Sequence, residues 1–440
     1  MKKMIAAILG VTIALGTLLG CSAGKGTEKA DASGTSSSVT TPAESAGTTE
    51  TTTAEKGGEI KVWIPPYAKS DAELTDQMFW DAQFDAFEEE TGCTVLVEIM
   101  PWEGYKQKIS TGLISNDGPD IVYIDTPYDL VESGAFEPLD AYFTEEEVDN
   151  FLYWNLGQIK GSQYVAPMLV GNASVLYCNM DILNSAGYDR PPETWDELIE
   201  YSLKIKEVAP DVQPFLQNWG SKTKGALVVS WLPYYWQTGA SFLNAEGMPD
   251  IDNEGGLQTV EFLKKLQDVG IFDETITAAE NPRDAFREGK IAMYVGDTGS
   301  AKKTTELGIN WEVNPALEGP NGDRATWIAA DSLAIASNSK NKELAVAALK
   351  YMLSAKVMDA FHEQMYAMCP ITKDAKFYDD ERFQTMYLEQ PELFHNWPAF
   401  ENSDAFWDYL QKNMQSMYMG ELTPQEVLTD TMQQYTDFIN

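Results

Sequence analysis

Histidine is scarce in this 440-residue chain, which contains only His362 and His395. The motifs HExxH, GxSxG and GxxxxGK[ST] do not occur in the sequence. A serine–histidine catalytic triad and a histidine zinc site are therefore not expected.

Cysteine is also scarce, and its spacing matches no metal or redox motif. The four cysteines are Cys21, Cys93, Cys178 and Cys369, and no CxxC pair occurs. We therefore predict no metal site, no redox site and no cofactor. If Cys21 is acylated, as proposed below, the other three allow at most one intramolecular disulfide, and the sequence does not say which two would pair.

Basic residues are few relative to acidic ones. The chain has 31 Lys and Arg against 68 Asp and Glu, which gives a formal net charge of −37. The electrostatic field of this negative charge repels nucleic acid and anionic lipid headgroups, so neither is an expected partner.

The first 21 residues have the pattern of an export signal. Lys2 and Lys3 precede an apolar run, Met4 to Leu19, which is shorter than a typical membrane-spanning helix. The run ends in Leu18-Leu19-Gly20-Cys21, which resembles a lipobox. We predict lipidation at Cys21, hence a protein anchored at the extracellular face of the cell membrane. The alternative is an ordinary secretory signal that happens to contain a cysteine.

Residues 22–57 are rich in Ser, Thr, Gly, Ala, Glu and Lys and nearly free of large apolar residues. Such a segment cannot bury enough surface to offset the entropy of ordering, so we expect a disordered linker. A flexible coil of this length spans about 30–35 Å root-mean-square, which suits a tether.

The remaining chain, from Glu59 onward, is too long for one simple core and indicates two lobes. Short apolar runs alternate with amphipathic stretches in the order βαβα from Glu59 to Leu139. This order predicts a mostly parallel sheet with helices on its faces.

An α/β unit is predicted between Gln163 and Leu198. The apolar run Ala173 to Asn179 is typical of a buried strand. The pair Pro191-Pro192 cannot continue a helix, and it precedes a capping box formed by Thr194 and Glu197. A helix is therefore predicted from Trp195 to about Val208.

The same stretch carries a family resemblance. Its pattern is similar to that of the extracellular solute-binding proteins of ABC importers, and in particular to the sugar-binding, maltose-binding-protein-like group. Cys178 departs from the pattern, because the family usually runs Tyr directly into Asn. Further matches, from GPDIV to SGAFEPLD and at FREGKIAM, extend the resemblance over most of residues 59–440. In the central stretch the matching residues are Tyr164, Pro167, Leu176, Tyr177, Asn179, Ala186, Gly187, Pro191, Pro192, Thr194, Trp195, Glu197 and Leu198.

The resemblance implies a two-lobe periplasmic-binding-protein-like fold of type II, each lobe a mostly parallel sheet flanked by helices, with hinge crossovers between the lobes. When the family's lobe limits are applied to this chain, lobe one holds residues 59–168 and 291–326, and lobe two holds residues 169–290 and 327–440. It also implies a monomeric binding protein, not an enzyme, that captures a carbohydrate in the cleft and delivers it to the permease subunits of an ABC transporter.

Aromatic and acidic residues mark the candidate carbohydrate site. The chain contains 12 Trp, and an indole can pack on the flat C–H face of a pyranose whose hydroxyls bind nearby polar groups. Ligands of open α/β sheets lie beyond the carboxyl ends of the strands, which points to the loops after Ile64, Met100, Ile124 and Val295. The predicted ligand-binding residues are Tyr67, Trp102, Glu103, Asp125, Asn172, Trp219, Trp231, Trp236, Asp297, Trp327, Asp331 and Trp407.

Three of these positions come from the resemblance. Trp231 and Trp407 stand where sugar-binding relatives carry stacking tryptophans, and Asp125 follows a strand after which relatives contact ligand hydroxyls. Gly171 stands about where maltose-binding relatives have a carboxylate, so the ligand could differ from maltodextrin, and Asn172 is a possible substitute.

Two other functions stay open at this point. Carboxylates are plentiful enough for an exported glycoside hydrolase or lyase that uses two acids. A polyamine-binding protein would need several acids in the cleft and would show strong salt dependence.

Overall fold

The computed structural model describes residues 57–69, 71–115, 118–125, 127–217, 224–271, 282–366, 368–376 and 381–440. The predicted signal peptide with Cys21, the linker up to residue 56, and Trp219 lie outside the described residues. Within the described ranges, no helix combines the length and apolar character needed to cross a membrane.

The described strands are short, and several are buried on both faces. They are β1 (Glu59–Ile64), β2 (Thr94–Ile99), β3 (Ile121–Ile124), β4 (Gln158–Ile159), β5 (Ser162–Gln163), β6 (Val165–Gly171), β7 (Ser174–Asn179), β8 (Gln213–Leu216), β9 (Ile291–Asp297), β10 (Trp311–Asn314), β11 (Thr326–Trp327), β12 (Ala329–Ile335) and β13 (Phe394–His395).

Helices alternate with these strands and dominate the carboxyl-terminal part of the chain. They are α1 (Asp76–Thr91), α2 (Tyr105–Leu113), α3 (Tyr128–Glu132), α4 (Glu145–Asn150), α5 (Met180–Ser185), α6 (Trp195–Val208), α7 (Lys224–Trp236), α8 (Glu254–Asp268), α9 (Pro282–Arg287), α10 (Ala301–Glu306), α11 (Lys342–Met352), α12 (Ala355–Gln364), α13 (Glu381–Glu389), α14 (Ser403–Tyr418) and α15 (Pro424–Ile439).

The first lobe is built on a sheet with the strand order β2-β1-β3-β12-β6. Strands β1, β2 and β3 run parallel, whereas β12 runs antiparallel to both of its neighbours. Helices α1, α2, α11 and α12 contribute buried residues to the core on this sheet. Because β1 and β3 are parallel, their carboxyl ends meet at one edge of the sheet.

The second lobe is built on a sheet with the strand order β10-β7-β9-β8. Strand β7 runs antiparallel to β10 and β9, and β8 runs parallel to β9. Alternate side chains of β7 point to opposite faces: Leu176 and Cys178 belong to one hydrophobic core, whereas Val175 and Tyr177 belong to the other. The all-buried strand therefore separates two cores.

The chain passes between the two sheets at the end of β6. Gly171 ends β6 in the first sheet and Ser174 starts β7 in the second, so only Asn172 and Ala173 connect them. Asn172 has a φ of 50°, a left-handed conformation that Asn adopts more readily than most residues. A second passage between the lobes runs from Trp327 of β11, which packs against the second core, to Ala329 of β12 in the first sheet.

The strand pairing differs from the predicted lobe limits. The resemblance places residues 291–326 in lobe one, but β9 and β10 both pair with β7 in the second sheet. It places residues 327–440 in lobe two, but β12 pairs with β3 and β6 in the first sheet. Hydrogen bonding along whole strands decides this membership, and a single sequence does not reveal strand partners that are far apart in the chain.

The helix predicted at Trp195 begins where expected. The Thr194 hydroxyl accepts a hydrogen bond from the Glu197 N–H at 3.2 Å. The Glu197 carboxylate binds the Glu193 N–H and Arg190 instead of closing the predicted capping box. Only one half of that box is therefore present.

The three cysteines within the described residues are buried. Cys93, Cys178 and Cys369 form no disulfide with one another. Burial raises the pKa of the Cys178 thiol.

Candidate ligand-binding site

A cavity of about 880 Å³ opens beside the passage between the two sheets. Its wall combines polar side chains, small residues and part of an indole. The lining residues are Asn172, Ser174, Gln217, Val229, Ser230, Pro282, Arg283, Tyr294, Val295, Gly296, Asp297, Gly299, Trp327 and Tyr366. This volume lies within the range of pockets that enclose small molecules.

Strand register brings most of this wall together. Ser174 at the start of β7 lies opposite Asp297 at the end of β9. Leu216 pairs with Tyr294, so Gln217 follows β8 beside Val295. The Thr326 hydroxyl donates to the Ser174 carbonyl, which holds β11 and its Trp327 next to β7.

An ion pair crosses the cavity wall. Arg283, at the start of α9, binds the Asp297 carboxylate at the end of β9. Asp297 also accepts a hydrogen bond from the Ser300 hydroxyl at 3.4 Å. A guanidinium and a carboxylate side by side offer both donors and acceptors to a ligand.

Gln217 presents a fixed amide to the cavity. Its side-chain oxygen accepts a hydrogen bond from the Tyr234 hydroxyl at 2.8 Å, and the residue is buried. The amide nitrogen is therefore the group that remains for a ligand.

A second group, which we call the first-lobe cluster, consists of Tyr67, Trp102, Tyr123 and Asp331. The hydroxyls of Tyr67 and Tyr123 donate to the Asp331 carboxylate at 3.4 and 3.0 Å. The Trp102 ring stands at 90° to Tyr67 and at 88° to Tyr123. Trp102 is 50% exposed, so much of its indole is available for contact.

Burial shifts the pKa values of this cluster. It raises the pKa of Asp331 to about 6, and the nearby Asp125 charge adds to the effect, while the two tyrosine hydroxyls oppose it. Burial also holds the pKa of Tyr67 well above its usual range. The tyrosines are therefore donors, and Asp331 is their shared acceptor.

Tyr366 joins the cavity to the first-lobe cluster. It lines the cavity, and its ring centroid lies 6.2 Å from that of Tyr67. Tyr366 follows α12 in the first lobe, whereas most of the cavity wall belongs to the second. The two groups of residues therefore form a continuous surface across both lobes.

Tyr387 ties the passage between the sheets to the cavity wall. Its hydroxyl lies 2.8 Å from the Thr298 hydroxyl, next to Asp297, and accepts a hydrogen bond from the Ala173 N–H at 3.4 Å. Its ring packs on Phe394 of β13. A movement at Asn172–Ala173 would thus be transmitted to the loop that carries Asp297.

Eight of the twelve predicted site residues lie in the cavity wall, in the first-lobe cluster or at exposed positions. Asn172, Asp297 and Trp327 line the cavity, and Tyr67, Trp102 and Asp331 belong to the first-lobe cluster. Glu103 and Asp125 are exposed, and Asp125 lies 3.8 Å from Lys106.

Three predicted stacking tryptophans are instead part of the second-lobe core. Trp231 is fully buried and stacks on Tyr235 with centroids 5.1 Å apart. Trp407 is 2% exposed and stacks on Phe242 at 5.3 Å. Trp236 is buried against His395 at 4.7 Å. In this conformation a ligand cannot reach these rings, because helices α7, α8, α14 and α15 enclose that core.

Several residues of the cavity wall and of the first-lobe cluster were not predicted from the sequence. Arg283 lies just before the FREGKIAM match, but nothing in the sequence there indicates that α9 starts at a cavity. Tyr123 lies inside a predicted buried strand, two residues before Asp125, and the alternation of a strand assigns both to one face. Gln217 and Tyr366 carry no local signal at all.

The fold is the two-lobe, type II periplasmic-binding-protein-like fold. The model of the family described as bacterial extracellular solute-binding protein matches residues 71–359. The chain belongs to this family, whose members are binding proteins of ABC transporters and not enzymes. The predicted fold class is confirmed.

Relatives agree with this assignment. A protein of Brucella abortus, named as a binding protein, is 28% identical over 391 residues, covering 85% of this chain and 91% of the relative. The diacetylchitobiose binding protein DasA of Streptomyces coelicolor is 28% identical over 329 residues, covering 68% of this chain and 70% of DasA.

A solved structure shows the same fold. The cyclic alpha-maltosyl-1,6-maltose binding protein of Arthrobacter globiformis superimposes with a TM-score of 0.70 at 16% identity. The match covers 86% of this chain and 97% of that protein.

We predict that Trp407→Ala lowers the free energy of unfolding by about 3–5 kcal/mol, because it leaves a cavity in a packed aromatic core. Trp102→Ala is the control: it also removes an indole, but a half-exposed one, and should cost roughly 1 kcal/mol or less. Urea unfolding followed by circular dichroism measures both. Equal losses of unfolding free energy in the two variants would contradict the burial of Trp407.

Asp331 should make stability depend on pH. Because its pKa is raised to about 6 in the folded chain, folding favours the protonated form, and stability falls as pH rises from about 4 to 6. This loss amounts to about 2–3 kcal/mol by neutral pH. Asp331→Asn should remove that part of the pH dependence in urea unfolding, whereas Asp85→Asn, at an exposed position on α1, should not. If the free energy of unfolding of Asp331→Asn changed with pH as steeply as that of the wild type, the role given to Asp331 would be refuted.

Proposed function

We propose that this chain captures a carbohydrate between its two lobes and delivers it to the permease subunits of an ABC importer. The observation that carries the proposal is the 880 Å³ cavity, in which the partly exposed Trp327 ring lies among paired donors and acceptors. A sugar ring needs both: an apolar face to pack on an aromatic ring, and polar partners for its hydroxyls.

The first lobe supplies the other side of the proposed site. Trp102 and Tyr366 are 50% and 41% exposed, and both adjoin Tyr67. These partly exposed rings lie next to the Asp331 carboxylate, which can accept hydrogen bonds. Together they suit the face of an oligosaccharide that is turned away from the second lobe. The names of DasA and of the Arthrobacter protein, which specify oligosaccharide ligands, support the same class of ligand.

Thermal shift and titration calorimetry test the proposal with a panel of four sugars: maltose, maltotriose, cellobiose and N,N′-diacetylchitobiose. At least one sugar should bind saturably and be recovered unchanged by chromatography. Release of shorter products with turnover would instead support the two-carboxylate hydrolase considered above. A protein that binds no neutral sugar would refute the proposal.

We predict that Trp327→Ala weakens binding of the sugar found in that panel roughly tenfold, or about 1–2 kcal/mol, because an aromatic face is lost. Trp397→Ala is the matched control. It also removes a partly buried indole of the second lobe, but Trp397 packs on Trp407 and does not line the cavity. Equal dissociation constants for Trp327→Ala and the wild type would contradict the site.

We further propose that the mature chain is a monomer and is anchored to the outer face of the membrane by lipid at Cys21. The lipobox-like Leu18–Cys21 segment supports this, and the family is extracellular. A Cys21→Ala chain should be released from the membrane fraction and lose incorporation of labelled palmitate. A variant that stays with the membrane would refute the anchor.

A further inference from the structure

Asp331 lies near the start of β12, close to the second passage between the lobes. Ser332 of β12 pairs with Ile124, the last residue of β3, so Asp331 lies just beyond the carboxyl end of β3. The register between β12 and β6 shifts between Asp331 and Ser332. Such an irregularity bends a strand and re-aims its side chains. The strand pairing therefore places the Asp331 carboxylate at the edge of the sheet where the first-lobe cluster lies.

Tyr123 is packed tightly beside this carboxylate. Its side chain is 3% exposed, and its hydroxyl donates to Asp331 Oδ1 at 3.0 Å. The rings of Trp102 and Tyr105 meet the Tyr123 ring edge-on, with centroids at 5.5 and 5.4 Å. The Tyr105 hydroxyl donates to the Tyr123 backbone carbonyl at 3.3 Å. Because its neighbours enclose the ring, the Tyr123 hydroxyl fixes one oxygen of Asp331.

The other carboxylate oxygen, Oδ2, is held less firmly. The Tyr67 hydroxyl donates to it at 3.4 Å, which is long for a hydrogen bond between oxygens. Tyr67 and Asp331 are both partly exposed, whereas Tyr123 is buried. The two oxygens of a carboxylate offer about four lone-pair sites. Oδ2 therefore has room for a ligand hydroxyl beside the Tyr67 hydroxyl or in its place.

The bond from Tyr123 also favours the charged form of Asp331. Burial is the main reason that the pKa of Asp331 is raised to about 6; the Tyr123 hydroxyl opposes the rise, Asp125 adds to it, and the Tyr67 hydroxyl opposes it. Within the described part of the chain, no lysine or arginine contributes to this balance. Strand β6, the other neighbour of β12, contains no titratable residue. Tyr123 therefore does most to keep the carboxylate charged.

We infer that Tyr123 is a positioning residue of the sugar site: it holds Asp331 as a charged, fixed acceptor whose Oδ2 takes a hydroxyl of the bound sugar. The inference rests on the proposed carbohydrate function and names the acceptor within that site. A hydrogen bond to a charged acceptor is about twice as strong as one between neutral groups. Because protonation removes that charge, sugar affinity should fall as the pH drops through the pKa of Asp331, about 6.

Tyr123→Phe removes the hydroxyl and keeps the ring. Titration calorimetry from about pH 5 to pH 9, with the neutral sugar that binds the wild type, measures the effect. Without the hydroxyl, the pKa of Asp331 should rise and its carboxylate should be less fixed. Tyr123→Phe should therefore bind the sugar roughly fivefold more weakly near neutral pH, and this deficit should shrink as the pH rises. Asp331→Asn should bind weakly without that pH dependence.

Tyr351→Phe is the matched control. It also removes a hydroxyl from a tyrosine of the first lobe, but that hydroxyl donates to the Gln83 carbonyl at 2.9 Å and not to Asp331. The affinity of Tyr351→Phe and its change with pH should be those of the wild type. In an Asp331→Asn background, Tyr123→Phe should cause no further pH-dependent change, because the group on which it acts is absent. Circular dichroism checks the folding of each variant.

A measurement without ligand separates the role of Tyr123 from the proposed function. In protein labelled with carbon-13 at the Asp carboxyl groups, the NMR signal of Asp331 is the one missing from Asp331→Asn. Its titration midpoint should lie near pH 6 in the wild type and higher in Tyr123→Phe. Saturating sugar should lower the wild-type midpoint, because the sugar binds the charged form. That last comparison needs no variant and tests the acceptor role even if Tyr123→Phe does not fold.

Three results would each overturn the inference: an unchanged midpoint in Tyr123→Phe, a sugar-binding deficit of the same size at every pH, or a wild-type midpoint that saturating sugar does not move. The failure of the proposed function looks different. A wild type that binds no sugar, but whose midpoint rises in Tyr123→Phe, would refute the proposed function while supporting the action of Tyr123 on Asp331.

Discussion

The short passage from β6 to β7 is the constraint on which the site depends. Two residues, Asn172 and Ala173, carry the chain from the first sheet to the second. Asn172 and Ser174 on this passage also line the cavity, and the Tyr387 hydroxyl contacts both Ala173 and Thr298. A change in the angle between the lobes would therefore alter the cavity wall directly, which is the coupling that a hinged binding protein requires.

The two walls of the site are chemically different. The second lobe offers an indole, a fixed amide and a compensated ion pair, whereas the first offers exposed rings around a desolvated carboxylate. Asp331 accepts two tyrosine hydroxyls, so its burial is partly offset by hydrogen bonds. A ligand that replaces water on both walls must provide hydrogen-bond donors and acceptors for the polar groups of each wall. An uncharged sugar has such groups without the cost of burying a charge.

Local signals in the sequence predicted local structure well. The helix after Thr194 begins at Trp195 as predicted, because its cap and its hydrophobic periodicity are encoded within a few residues. Strand partners were not predictable: β12 completes the first sheet although it follows β3 by some two hundred residues. The tryptophans show the same limit. Trp231 and Trp327 look alike in sequence, but α7 places the first in a core and β11 places the second in a cavity wall.

The central claim, that the lobes close on a neutral sugar, is tested most directly by small-angle X-ray scattering of the full mature chain with and without the sugar that binds. Closure predicts a smaller radius of gyration at saturating sugar and no change with a sugar that does not bind. A saturable sugar complex with an unchanged radius of gyration would contradict the account, because binding would then not draw the two walls together.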